Sequence, residues 1–207
     1  MRKLIVLSAM LLTALVAMAQ HEEGELLLQP RVGMSISTLT DADKTITDMH
    51  FGLEAEYMIT DQFSLSAGVL LSNQGAKYDY VDSEGPQKYE IDLDYVQVPL
   101  LANYYVLPGL AIKAGVQPGF RMRAKMKEGD YTLDLDEGLK LLNYVVDADY
   151  KINKIDFSVP VGLSYEFRNI VLDARYNFGL LKVASDGDAF YNRFFMLTLG
   201  YKIGIGN

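Results

Sequence analysis

Ten titratable side chains stand at alternate positions of short segments in this 207-residue chain: Arg31, Glu54, Glu56, Lys113, Arg121, Asp156, Glu166, Asp173, Arg175 and Lys202. Five are cations and five are carboxylates. An isolated buried ion is costly, so a balanced set of this kind predicts structural ion pairs that fill an interior. A proton or ion relay along the same groups is the alternative chemistry. Counting along the segments places Arg31 level with Glu56, Arg121 with Asp156 across a hairpin, and Lys113 with Glu166.

Nucleophilic catalysis needs a hydroxyl or thiol beside a base, and the chain has only two histidines and no cysteine. His21 lies near the N-terminus. His50 falls at the outer rim of a segment, where a histidine reads as a solvated strand end, and no GxSxG elbow accompanies any serine. Zinc lacks cysteine and further histidine ligands. Ser185, Asp186, Gly187 and Asp188 resemble half of a calcium loop but lack the closing Glu. The residues therefore predict no enzyme, no cofactor and no bound metal.

The segments that carry the ten charges alternate apolar and polar residues, the period of a strand with one greasy and one wet face. Eight are read: Leu28 to Ser37, His50 to Met58, Phe63 to Asn73, Tyr89 to Tyr105, Leu110 to Arg123, Ile155 to Phe167, Ile170 to Leu181, and Phe194 to Ile203. Over the height of a membrane the apolar phase carries no charge, as in Phe157, Val159, Val161, Leu163, Tyr165 and Phe167. The fold class expected is all-β, an eight-stranded antiparallel up-and-down transmembrane β-barrel.

Connections alternate between tight (Ile59 to Gln62, Val106 to Gly109, Arg168 to Asn169) and long. Outer-membrane barrels have short periplasmic turns and longer external loops, so both termini are expected in the periplasm. Aromatic residues should mark the two interfaces: Tyr57, Phe63, Tyr104, Tyr165, Phe167 and Tyr201 at one rim, and Phe51, Phe120, Phe157, Tyr176, Phe178 and Phe195 at the other. Ten residues from Phe157 to Phe167 at a tilt of roughly 40° climb about 25 Å, the height of the apolar band. In strand four the apolar phase flips near Tyr95, which predicts either a segment above the membrane or a bulge. Pro99, Pro118 and Pro160 predict further bulges or unpaired amide positions, since proline donates nothing to a ladder.

Residues 1–19 have a basic start (Arg2, Lys3), an apolar run and the Ala17-Met18-Ala19 pattern, which reads as a secretory signal peptide ahead of a barrel domain over 20–207. Its removal shifts the formal charge from −8 to −10, so a nucleic-acid partner is not expected. Membrane lipid is. The soluble rival, a lipocalin-like carrier of apolar ligands, would reverse the two faces, yet the polar phase here is rich in Gly and Ser (Gly33, Ser35, Gly52, Ser64, Ser66, Gly68, Gly115), which suits a crowded interior better than a wet surface. A lipid-modifying barrel enzyme would have to use His50.

The long connections are acidic, including Asp41, Asp43, Asp79, Asp82, Asp130 and Asp136, and could bridge divalent cations to anionic lipid. The third, Ala124 to Lys154, contains Leu139, Leu142 and Tyr144, too apolar for a free tip, and is the candidate partner surface. Either these residues extend strands above the membrane, with Tyr144 to Ile155 joining strand six, or they form a short capping element. Strand extension is the preferred reading.

In DYVQVPLLANYY (Asp94 to Tyr105), AGVQPGFRM (Ala114 to Met122), LDARYNFGL (Leu172 to Leu180) and NRFFMLTLGYKI (Asn192 to Ile203) the chain resembles the PorT-type small outer-membrane β-barrel proteins. The resemblance implies an eight-stranded outer-membrane barrel without enzymatic activity, some of whose relatives assist protein secretion. One departure is the run of Gly204 to Asn207 beyond the last strand, where many such barrels end on an aromatic residue.

Overall fold

The computed structural model describes residues 21–39, 44–82, 85–128, 131–146, 153–182 and 191–205. The proposed signal peptide and the Ser185–Asp188 motif lie outside them. The chain runs β1 (Leu26–Leu39), β2 (Lys44–Thr60), β3 (Phe63–Asp82), β4 (Gly85–Gln97), β5 (Leu100–Leu107), β6 (Leu110–Glu128), β7 (Tyr131–Asp134), α1 (Leu135–Val146), β8 (Ile155–Phe167), β9 (Ile170–Lys182), β10 (Tyr191–Tyr201) and β11 (Ile203–Gly204). Among the described residues no helix is long and apolar enough to cross a membrane.

Each strand pairs antiparallel with its neighbours, and β10 and β11 return to β1. β4 and β5 are one strand interrupted at Val98 and Pro99, and β10 and β11 are one strand interrupted at Lys202, whose amide donates to the Asn169 carbonyl (2.7 Å). Counted that way, eight antiparallel strands close a barrel without a free edge. Closure satisfies every strand by a neighbour, the condition for a sheet surrounded by lipid.

The alternation of side chains sets which residues face out. Val32, Phe51, Leu53, Leu163, Leu172, Leu197 and Tyr201 are all exposed on the outer wall, Leu163 by 54%. The intervening Arg31, Glu54, Ser164, Asp173 and Thr198 are buried inside. This disposition removes the soluble-carrier reading, which needs the apolar set within.

Three connections at one end are two-residue turns, closed by the pairs Thr60–Phe63, Leu107–Leu110 and Phe167–Ile170. Gly109 (φ 79°) and Arg168 (φ 59°) supply left-handed backbone in the second and third of these turns. The outer-wall aromatics Tyr57, Phe63, Tyr104, Tyr165, Phe167 and Tyr201 lie toward this tight-turn end. Phe51, Phe120, Phe157, Tyr176, Phe178 and Phe195 lie toward the other, where the Tyr176 and Phe178 rings meet edge-on at 4.6 Å.

The long-hairpin end departs from expectation. The expected loop from Gln74 to Lys88 is almost entirely strand, with β3 and β4 paired up to Asp82–Gly85. Of the expected strand extension from Tyr144 to Ile155, residues 147–152 lie outside the described residues, Asn153 and Lys154 are not strand, and residues 144–146 are instead the end of a helix, α1, which follows the short strand β7. Asp134 caps it by accepting from the amides of Asp136 (3.0 Å) and Glu137 (3.3 Å). The acids Asp136 and Glu137 occupy its first turn, where the helix dipole favours them.

The phase flip near Tyr95 is resolved on the neighbouring strand. β4 keeps Leu93, Tyr95 and Gln97 inward, while the pairing steps from Asp94–Arg123 to Tyr95–Arg121, leaving Met122 as the extra residue of a bulge in β6. At Pro160 the β6–β8 ladder passes from Ala114–Val161 to Gln117–Ser158 without a rung between, as a missing N–H dictates.

Candidate functional site: the lumen and its outer cap

Small residues on the inward phase make the barrel narrow enough for long side chains to cross it. A Cβ added at Gly33 would overlap the Leu197 carbonyl oxygen and lie 2.7 Å from the His50 ring, so glycine is what admits that imidazole. His50 is not the solvated strand end expected of it. It is fully buried and bonds Thr198 Oγ1 through Nε2 (2.8 Å), because β2 continues six residues beyond it to Lys44.

The middle of the lumen holds Arg31, Lys113 and Arg175 around Glu54 and Asp173. Arg31 pairs with Glu54 and, at 2.9 Å, with Asp173. Arg175 reaches Glu54 at 2.9 Å and Asp173 at 2.7 Å, and Lys113 stands 3.2 Å from Asp173. Toward the tight turns, Lys202 sits between Glu56 (2.9 Å) and Glu166 (2.8 Å) and donates to the Tyr105 hydroxyl (2.7 Å), which donates in turn to Glu56 (2.6 Å). Four cations thus meet four carboxylates in two adjoining layers, so neither sign is left unmatched in the low-dielectric interior.

The N-terminal segment closes this end. Gly24 donates to the Met58 carbonyl and Met58 to that of Glu25, each at 2.9 Å. Between Glu25 and Glu166, His21 places Nδ1 and Nε2 each at 2.9 Å. Carboxylates only accept, so both ring nitrogens carry hydrogens. Burial opposes that charge, but the bonds and charges of Glu166 and Glu25 outweigh it and raise the His21 pKa above its ordinary value. Sequence reasoning gave His21 no role.

Above the ionic layers the lumen is lined by the buried cluster Leu70, Phe194 and Met196, and then by Arg121. Arg121 does not pair with Asp156. Register sets Asp156 opposite Gly119, two residues short of it, whereas Asp136 of α1 arrives from above as a bidentate partner at 2.9 and 3.0 Å. Asp156 accepts instead from the Phe157 amide (2.8 Å). The expected Arg31–Glu56 and Lys113–Glu166 pairs are likewise exchanged for those above. Stagger between tilted strands and crossing of the lumen bring together residues that counting along strands keeps apart.

Of the apolar residues assigned to a partner surface, Leu139 is half-buried on α1. The side chains of Leu142 and Tyr144, on the same helix, lie outside the described part. Among the described residues no cluster of three or more His, Asp or Glu could hold a metal ion.

A closed eight-stranded barrel with an apolar outer wall and a charged interior is the construction of a protein embedded in lipid. The family model of the outer membrane protein beta-barrel domain matches residues 18–185. The chain belongs to that family. This outer-membrane β-barrel is also similar to Neisserial surface protein A, at 16% identity and a TM-score of 0.51, covering 88% of this chain and 100% of that one. It is similar to Ail, the attachment invasion locus protein of Yersinia pestis, solved with the heparin analogue sucrose octasulfate: 16% identity, a TM-score of 0.50, and 87% and 99% coverage. Likeness at this identity concerns the fold. No curated protein matches the chain.

Proposed function

We propose that this barrel is a non-enzymatic, non-conducting outer-membrane anchor whose working surface is the long-hairpin end, capped by α1. The supporting observation is the buried network of Arg31, Glu54, Lys113, Asp173 and Arg175, continued by Lys202, Glu56 and Glu166. Opening a water path through it would separate these ions from one another. The tight turns and both termini face the periplasm, the aromatic residues at the two ends of the wall are interfacial girdles, and residues 1–19 are the secretory leader.

The long hairpins, β7 and α1 then stand outside the cell, and a protein partner docks on α1 through Leu139, Leu142 and Tyr144. Assistance to protein secretion is the version of this role that the PorT-type resemblance implies. Purified protein in planar bilayers is expected to give no stable single-channel current. Proximity labelling from α1 in intact cells should enrich one protein over bulk surface material. Sustained large currents would overturn the sealed lumen, and uniform labelling would overturn the docking role.

A further inference from the structure

Residues 21–25 form a strap across the tight-turn mouth of the barrel. At one end the two backbone bonds that Gly24 and Glu25 share with Met58 prolong the ladder of β2. At the other end the anchor is the His21 ring, 12% exposed, set edge-on to Tyr105 at 6.4 Å and bonded on both sides, to Glu25 and to Glu166. A neutral imidazole carries one ring hydrogen and satisfies one carboxylate, while its bare nitrogen faces the lone pairs of the other. The seat therefore fits the imidazolium alone.

The two carboxylates differ in what they lose when that charge goes. Glu166 keeps Lys202 at 2.8 Å, and Lys202 keeps Glu56 and the Tyr105 hydroxyl. Glu25 is 28% exposed and is solvated where it stands. Release of His21 thus strands no buried ion. The charged and titratable groups around the ring are Glu22 and Glu25 of the strap, Tyr105 of β5, Glu166 of β8 and Lys202 between β10 and β11, with Glu56 of β2 behind them. Burial and the charge of Lys202 oppose protonation, and the hydrogen bonds and charge of Glu166, with the bond to Glu25, outweigh them. The seat is consequently full below the ordinary histidine value and empties as pH rises through the raised one. Space for movement is already present: a cavity of about 660 Å³ separates the strap from the turns at residues 60–62 and 106–108, and Asp61 and Glu22 both line it. Met58 and Tyr105, at its inner wall, are buried under the strap.

We propose that residues 21–25 are a proton-operated latch: seated with His21 charged, they cover Tyr105 and Lys202, and with His21 neutral they swing away and open the mouth as far as the Arg31, Glu54 and Asp173 layer, which stays shut. The latch goes beyond the sealed-anchor reading and rests on it for its periplasmic address. Because the chain has no cysteine, spin labels at E23C and Q62C, both exposed positions, report the distance between strap and turn in nanodiscs. Between about pH 5 and about pH 9 the distribution should pass from one narrow, short distance to a broad, longer one. On the same labelled background H21Q should be broad throughout, and E25Q should move the midpoint to lower pH. A distribution that ignores pH, or an H21Q strap as narrow as its parent, would overturn the latch. Loss of the heat-modifiable gel band over the same interval would overturn it as well, since the whole barrel would then be opening. Labelling of E23C by an impermeant maleimide, in intact cells and in cells with breached outer membranes, tests the orientation separately. Reaction in intact cells would put the latch on the outer side and overturn the periplasmic reading, leaving the distance result to stand by itself.

Discussion

Lys202 is the buried cation of the sealed end: Glu56, Glu166 and Tyr105 all converge on it and it is 2% exposed. Lys202→Met should cost about 3–5 kcal/mol of stability, the cost of stranding buried carboxylates, and Lys202→Met with Glu56→Gln and Glu166→Gln should recover most of it. Urea unfolding in micelles measures both. His21 adds a pH dependence of known sign. Its pKa is raised in the folded state, so its contribution is full below the ordinary histidine value and disappears as pH rises through the raised one. Exchange of the Gly24 amide should accelerate across that interval in wild type and be fast and pH-insensitive, apart from intrinsic chemistry, in His21→Ala. The charges and their balance were legible from residue type and alternation. Their pairing was not, since Arg31 meets Asp173 across the lumen and Arg121 meets a helix that strand counting does not contain.

At the scale of elements, α1 is tied to the barrel through Arg121 and Asp136. The hydrogen bonds and charge of Arg121 hold the Asp136 carboxyl below the usual carboxylate range. The tie is therefore complete above the ordinary aspartate value and lost as pH falls through the lowered one. Asp136→Asn should speed hydrogen exchange throughout α1 while leaving barrel unfolding unchanged, and an unchanged α1 would show that β7 alone holds it. The helix had a sequence signal, an Asp134 N-cap with Glu137 three residues on, followed by Leu135, Leu139, Leu142 and Val146 at helical spacing. The same apolar residues also suit strands prolonged above the membrane, so the signal did not decide between the two. The β3–β4 hairpin was hidden for another reason: polar residues fall on both phases from Gln74 to Lys88, so no alternation marks it as strand. β8, wet on one face and greasy on the other, was legible from Ile155 to Phe167.

For the whole molecule, an outer wall of exposed Leu, Val, Phe and Tyr commits the chain to lipid. Unboiled protein in detergent should migrate apart from boiled protein on a gel, and the chain without detergent should precipitate. A soluble, monodisperse sample would contradict the arrangement. The sequence by itself determined the strand number, the lipid-facing phase, the tight turns and the neutral charge balance, because each follows from local chemistry: a two-residue period, turn residues, and the cost of an unpaired ion. Only the tertiary structure decided which ions pair, that His50 is buried, that Asp136 of α1 reaches Arg121, and that the bulge turns Arg123, Lys125 and Lys127 outward. Those depend on stagger, on crossing distances within a closed cylinder and on one residue inserted in one ladder, all of which join positions far apart in the chain.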